Sequence, residues 1–278
     1  METKKDKKVK VVVKSLGSSS EGNAFILEIY RTKYDIPFIL LLEMGFAPET
    51  LKSKLFNWGY SVNDINASLI THEHDDHAIA IKEFVKRGVK AYAPKSVFTK
   101  YDMELNNNFI LKPFKQKMIG DGIAVFGIPL NHLDTNGVEV ENLGYIITIE
   151  NNFRILYITD TNYIKYDLSK YQFNIIIIET NYIHNDMYFA LKNAKENNDK
   201  FKEQHYIRTM KSHLGAENTG NTLATFNLDK TQTIFLMHLS SGYGTNPVRF
   251  KEVITTKLQK ANKPIPKILI CDKKGNIV

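Results

Sequence analysis

The sequence predicts an α/β protein organised as a four-layer αββα sandwich, two packed sheets with helices outside them. Three observations predict it. Short β-branched and apolar runs recur along the chain, and helix-length stretches with apolar residues three and four apart lie between some of them. No repeat, Pro- or Gly/Ser-rich linker or low-complexity tract divides the sequence, so residues 1–278 read as a single domain. A chain of that size buries roughly three quarters of its unfolded surface without staples.

The predicted strands, in order, are Val9–Val13, Ala24–Tyr30, Phe38–Leu42, Ser68–Thr71, Val89–Ala93, Ile123–Ile128, Tyr145–Ile149, Ile155–Thr159, Asn174–Ile178, Thr233–Met237 and Ile268–Cys271. Each is bounded by Gly, Asn or charged residues and has the length of a strand. Ala78–Arg87 carries Ile79, Phe84 and Val85 against Lys82, Glu83, Lys86 and Arg87, which predicts a helix. Asn246 as N-cap with Pro247 in the first turn predicts another, running to about Lys260. The segment 185–212 is polar and free of Gly and Pro, with Met187, Phe189, Leu191, Ala194, Phe201, Tyr206, Ile207 and Met210 at roughly helical intervals. It predicts a helical insert of one or two helices projecting from the core as a lid or substrate-binding element.

Composition excludes several classes. The lone Cys271 cannot form an internal bridge, and the opening charged residues precede no apolar h-region, so the expectation is a cytoplasmic protein. Apolar runs such as Ile36–Leu42 and Ile175–Ile178 fall far short of the roughly 18 residues of a membrane span, so no membrane partner is expected. Lys and Arg number 37 against 30 Asp and Glu, a net charge of +7, which suits an anionic partner without demanding one. Much of the excess sits in terminal lysines, Lys4, Lys5, Lys7 and Lys8 at the start and Lys263, Lys267, Lys273 and Lys274 at the end, which read as solvated ends.

The strongest local signal is Thr71-His-Glu-His-Asp-Asp-His77, between the predicted strand Ser68–Thr71 and the helix beginning near Ala78. Residues two apart in an extended segment project to the same side, so His72 and His74 can bind one ion. Asp76 and His77, at the start of the following helix, can face a second ion close by. Imidazole mixed with carboxylate is the ligand set that Zn or Mn takes.

These residues form H-x-H-x-D-H, and the sequence resembles the metallo-β-lactamase-fold hydrolases, whose hallmark that motif is. Ser15-Leu-Gly-Ser-Ser-Ser-Glu-Gly-Asn23, followed by an apolar strand, is similar to the start of the branch containing the WalJ/YycJ-type exonucleases. Asn131-His-Leu-Asp134, Tyr157-Ile-Thr-Asp160 and Phe235-Leu-Met-His-Leu-Ser240 fall in the order of the family's later motifs. The resemblance implies two divalent metal ions, Zn or Mn, one taken by His72, His74 and His132 and the other by Asp76, His77 and His238, with Asp160 bridging them. Independently of that resemblance, Asp160 and His238 each end an apolar strand, where a buried strand delivers a polar side chain to a common edge.

Glu179–Met187 and Arg208–Asn218 resemble two further segments of the same branch. Asp76 and His213 are the candidate catalytic residues, and Arg208, Lys211, His213 and Ser240 the candidate substrate contacts. His213 suits the donation of a proton to a leaving oxygen. His184 and His205 read as surface residues. Where the family has Leu-Asp-x-Gly, this chain has Leu42-Glu43-Met44-Gly45, a supporting carboxylate longer by one methylene, and His213-Leu-Gly-Ala stands for the branch's His-Leu-Ser-Asn.

The resemblance implies a phosphodiester hydrolase, a nuclease of exonuclease type, that uses a hydroxide bridging two metal ions on a nucleic-acid or nucleotide substrate; a homodimer is compatible. A phosphodiesterase for a small or cyclic nucleotide is the alternative. An inactive metal-binding partner module is the reading from another class, and the seven converging candidate ligands argue against it.

Overall fold

The computed structural model describes residues 8–134, 136–240 and 246–278, so Lys4, Lys5 and Lys7 lie outside the described residues. One sheet has five strands, β1 (Lys10–Ser19), β2 (Gly22–Tyr30), β3 (Phe38–Leu42), β4 (Ala67–Leu69) and β5 (Ala91–Tyr92), in that spatial order. The other has seven, β6 (Gln116–Gly120), β7 (Ile123–Leu130), β8 (Asn142–Ile149), β9 (Phe153–Ile158), β10 (Ile175–Glu179), β11 (Thr233–Met237) and β12 (Lys267–Ile270), again neighbours in sequence order. In both sheets antiparallel hairpins lead into parallel strands: β3, β4 and β5 in the first, β9 to β12 in the second.

The helices are α1 (Pro48–Asn57), α2 (Asp75–Ala78), α3 (Ile81–Lys86), α4 (Lys95–Lys100), α5 (His184–Glu196), α6 (Lys200–Ser212), α7 (Ala216–Thr225) and α8 (Pro247–Lys260). Side-chain alternation creates four layers. Phe25, Leu27 and Ile29 of β2 meet Tyr145 and Ile147 of β8 and Ile155 and Tyr157 of β9 in the core between the sheets. The intervening residues face outward and are covered as well: Ile26 and Leu41 by Leu51, Leu55, Ile81 and Phe84 of α1 and α3, and Ile176, Ile178 and Leu236 by Leu223, Phe250 and Ile254 of α7 and α8. Cover on both faces explains why the strands read as unbroken apolar runs.

The predicted αββα class is therefore observed, with local differences. The helix expected over 78–87 is two, because the Ala80 N–H donates to the Met44 carbonyl at 3.0 Å and leaves the helical ladder there. Strand β6 lies at a sheet edge and buries only Ile119, so its apolar content is too low to stand out. Asn246 caps α8 as expected, its side chain accepting the Val248 N–H at 3.0 Å. The insert is a hairpin of α5 and α6 held by a small cluster of Tyr182, Met187, Ala194 and Tyr206. No helix among the described residues is long and apolar enough to cross a membrane.

Candidate metal centre

The centre lies at the carboxy ends of β3, β4, β9, β10 and β11, where parallel strands deliver polar residues to one edge. Glu43, Asp160 and His238 follow β3, β9 and β11, each in the left-handed backbone region with φ of 60°, 49° and 56°. Such residues cost of order 1–3 kcal/mol each and persist where surrounding contacts fix them. Here those contacts are present. The Asn142 amide donates to the Asp160 carbonyl at 2.7 Å, Thr159 Oγ1 donates to Asp160 Oδ1 at 2.7 Å, and the Asn181 amide donates to the His238 carbonyl at 2.9 Å.

Three groups of ligand atoms share Asp160; one of them joins it to Glu179, His213 and His238, and the other two hold the predicted ligands. His72, His74, His132 and Asp160 form one, Asp76, His77, Asp160 and His238 the other, with the atoms of each group within 4.8 Å of one another. In the first, Nδ1 of His74 lies 3.0 Å from His72 Nε2 and 3.1 Å from His132 Nε2. In the second, His77 Nε2 lies 3.4 Å from Asp76 Oδ2 and 3.3 Å from Asp160 Oδ1. His238 Nε2 is 3.7 Å from Asp76 Oδ2 and, although buried, has no hydrogen-bond partner. Buried imidazole nitrogens turned on one another, an orphaned nitrogen and two converging carboxylates fit divalent cations, because an ion satisfies atoms that have no protein partner.

The two groups differ in protonation. Burial pushes His72 well below its ordinary value, lowers His74, and takes His132 to about 4, so all three present neutral nitrogens. Burial acts on His77 and His238 too, but the charge of Asp160, with Asp76 and further carboxylates nearby, outweighs it. It holds His77 well above its ordinary value and His238 at about 10. Asp76 and Asp160 are held below the usual carboxylate range against burial, Asp76 by His77 and Asp160 by His238 and His77.

Supporting contacts lock the loop that carries Asp76 and His77. Glu43 Oε1 reaches to 3.5 Å from His77 Nδ1, while its Oε2 accepts the Thr71 N–H at 3.2 Å. The extra methylene therefore still delivers a carboxylate to this histidine. A Cβ on Gly45 would sit 1.7 Å from the Asp76 carbonyl oxygen, so only glycine allows that approach. The first hairpin joins this loop to His238, the last candidate ligand in the chain. Asn23 Nδ2 donates to the Asp76 carbonyl at 3.3 Å, its Oδ1 accepts from Ser18 Oγ at 2.8 Å, and Ser18 Oγ accepts the His238 N–H at 2.8 Å.

The predicted substrate contacts are distributed more widely. A cleft of about 650 Å³ is lined by His74, His132, Asp76, Asp160 and His238, members of both ligand groups, together with Arg208 and His213. Lys211 is exposed and lines an adjoining groove instead. Ser240 lies just past His238 with its N–H bonded to the Asn181 carbonyl at 2.8 Å, and it is not among the residues lining the cleft. His184 is exposed as expected, but the reading of His205 as a plain surface residue is corrected: one turn before Arg208 on α6, it is half-buried and lines the cleft.

Glu179 was missed as a site residue. Its Oε1 lies 2.6 Å from His213 Nδ1 and 2.9 Å from His238 Nδ1, and its Oε2 accepts the Thr161 N–H at 3.0 Å. Burial works against its charge, but His213 and His238 hold it below the usual carboxylate range. Its signal was visible: Ile175–Ile178 ends in this carboxylate as Ile155–Ile158 leads into Asp160.

Residues 48–239 match the family described as the beta-lactamase superfamily domain. The chain belongs to this superfamily, in its metallo-β-lactamase form. It is 30% identical over 122 residues to exodeoxyribonuclease WalJ of Streptococcus pneumoniae, a match covering 41% of this chain and 43% of that protein. Less than half the length of that relative is thus spanned. The metallo-beta-lactamase fold protein YhfI from Bacillus subtilis superposes with a TM-score of 0.66 at 13% identity, over 98% of this chain and 99% of that one. Unliganded yeast PDE1 superposes with a TM-score of 0.65 at 12% identity, over 95% and 99%. The last two likenesses show the shared fold. With its His/Asp clusters at the strand ends, this superfamily member is a metal-dependent hydrolase of metallo-β-lactamase type.

Proposed function

We propose that the protein hydrolyses phosphodiesters in nucleic acid, as a nuclease of exonuclease type. The observation that carries this reading is the cleft itself: members of both ligand groups, a guanidinium and a carboxylate-held histidine face one space. The partial relative that is an exodeoxyribonuclease supports the same substrate class. His72, His74 and His132 would hold one ion and Asp76, His77 and His238 the other, with Asp160 shared. Two such ions, Zn or Mn, lower the pKa of water and polarise a phosphoryl oxygen when bound.

The chain's own residues complete the chemistry. Glu179 accepts a hydrogen bond from Nδ1 of His213, which orients the ring and leaves Nε2 to pass a proton to the departing oxygen. Arg208, on the wall of the cleft, offsets the negative charge that grows on the phosphoryl oxygens. Asp76 would act chiefly as a ligand of the second ion, beside His77 and His238, whose charges hold its carboxyl below the usual carboxylate range.

The test is hydrolysis by Mn- or Zn-loaded protein on end-labelled single- and double-stranded DNA, RNA and a panel of cyclic nucleotides, with an Asp76→Ala/His77→Ala control. Polymer degradation that disappears in the control is expected. Turnover of a cyclic nucleotide with the polymers untouched would replace this reading with a small-nucleotide phosphodiesterase.

A further inference from the structure

Beside the metal cleft runs a second groove of about 450 Å³ that the chemistry above does not use. One wall is the turn carrying Leu133, Asp134 and Gly137, and the other is α6. The two spaces are continuous, because Leu133, Asp134, His205, Arg208 and Ser212 line both. Phe201, His205, Arg208 and Lys211 recur three or four residues apart, so they form one stripe along α6. From Ser212, which lines the cleft, to Phe201, which does not, α6 leads about 16 Å outward.

The stripe departs from the rest of the insert in two ways. Elsewhere on α6 the cations are neutralised locally, Lys200 by Glu203 at 2.9 Å and Lys202 by Asp199 at 2.9 Å. Among the described residues Arg208 and Lys211 have no such carboxylate partner; the Arg208 guanidinium contacts only the His205 ring, at 3.4 Å. The one acid in the groove, Asp134, is occupied by its own turn, accepting the Asn136 and Val138 N–H groups at 2.8 Å each. Phe201 is 83% exposed, more than any other large apolar side chain among the described residues. Exposed phenyl and uncompensated cations on one stripe match a ligand that alternates flat apolar faces with anions.

Resting on the phosphodiesterase reading, we propose that this groove holds the strand flanking the scissile phosphate of a single-stranded nucleic acid. Phe201 stacks on a base, while Arg208 and Lys211, both on the cleft side of it along α6, meet the phosphates that lead from that base to the scissile one. A duplex keeps its base faces stacked inside and has nothing to offer an exposed phenyl; a single strand presents them. Specificity for unpaired strands therefore resides in the insert, outside the ligand groups.

The experiment compares wild type, Phe201→Ala and Phe201→Trp in the metal-loaded protein. KM and kcat are measured on a single-stranded oligonucleotide and on the small diester bis(p-nitrophenyl) phosphate. Binding of a fluorescent oligothymidylate is read separately by anisotropy, with chelator present. Phe201→Ala should raise KM and Kd for the oligonucleotide about tenfold, leave the small diester unchanged, and be rescued by Phe201→Trp. Lys211→Ala should flatten the salt dependence of binding by about one phosphate contact. Equal oligonucleotide binding by wild type and Phe201→Ala, or a parallel loss on the small diester, overturns the subsite and leaves the hydrolase reading standing. A wild-type protein that turns over the small diester but neither cuts nor binds the oligonucleotide overturns both.

Discussion

The two ligand groups that form the halves of the candidate centre place buried histidines, His72 and His132 in one and His77 and His238 in the other, at the same depth, and these reach opposite states. His72, His74 and His132 share one carboxylate, Asp160, and burial keeps them neutral. His77 and His238 are as deeply buried as His72 and His132, yet Asp76, Asp160, Glu43 and Glu179 surround them and hold them protonated. The local count of carboxylates, not depth, decides which histidine offers a free lone pair. The first group would offer a cation nitrogens that are already neutral, whereas the second would have to give up protons to hold one.

The largest effect should come from the group the halves share. Asp160→Ala is expected to remove both ions, seen by elemental analysis, and to lower hydrolysis by more than about 100-fold, beyond the range for supporting groups. Retention of either ion would show that the halves are independent. Glu43→Ala acts on one half only, because its carboxylate reaches His77 alone among the ligands. We expect about 10–100-fold weaker binding of one ion in a chelator competition, with the other unaffected.

Proton release separates the halves without any mutation. In titration calorimetry at pH 7.5, run in two buffers of different ionisation enthalpy, one loading event should carry a buffer-dependent heat and the other should not.

The smallest effect is on the metal-free protein. His132 has a folded pKa of about 4, below its ordinary 6.5, so the stability it contributes is complete above about pH 6.5 and is lost as pH falls towards 4. His238, held at about 10, contributes stability that is complete below about pH 6.5 and is lost as pH rises towards 10. Denaturant midpoints measured with chelator should therefore peak near pH 6.5, and His132→Gln should flatten the acid side.

Much of this centre was legible in the sequence because strand ends and H-x-H-x-D-H are local signals. His132 was legible chiefly through resemblance, since a loop histidine has no periodic context. Glu179 carried the same strand-end signal as Asp160, yet its partners His213 and His238 lie 34 and 59 residues away, and no local pattern states that pairing. The same applies to His205: its place on α6 was readable, but its position beside the cleft depends on how α6 lies over the sheet edge. In the fold, the doubly covered strands announced themselves, while the edge strand β6 and the short α4 did not, because half-buried elements need little apolar sequence.

The hydrogen bond from the His238 N–H to Ser18 Oγ joins residues 220 positions apart, and through Asn23 it continues to the loop bearing Asp76 and His77. On the ribosome, the first hairpin and the H-x-H-x-D-H loop emerge long before the strand that delivers His238. The second half of the centre is therefore a late product of synthesis. Contacts of such long range also slow folding, so the emerging chain passes through an extended interval in which it displays histidines without yet enclosing a complete ion site.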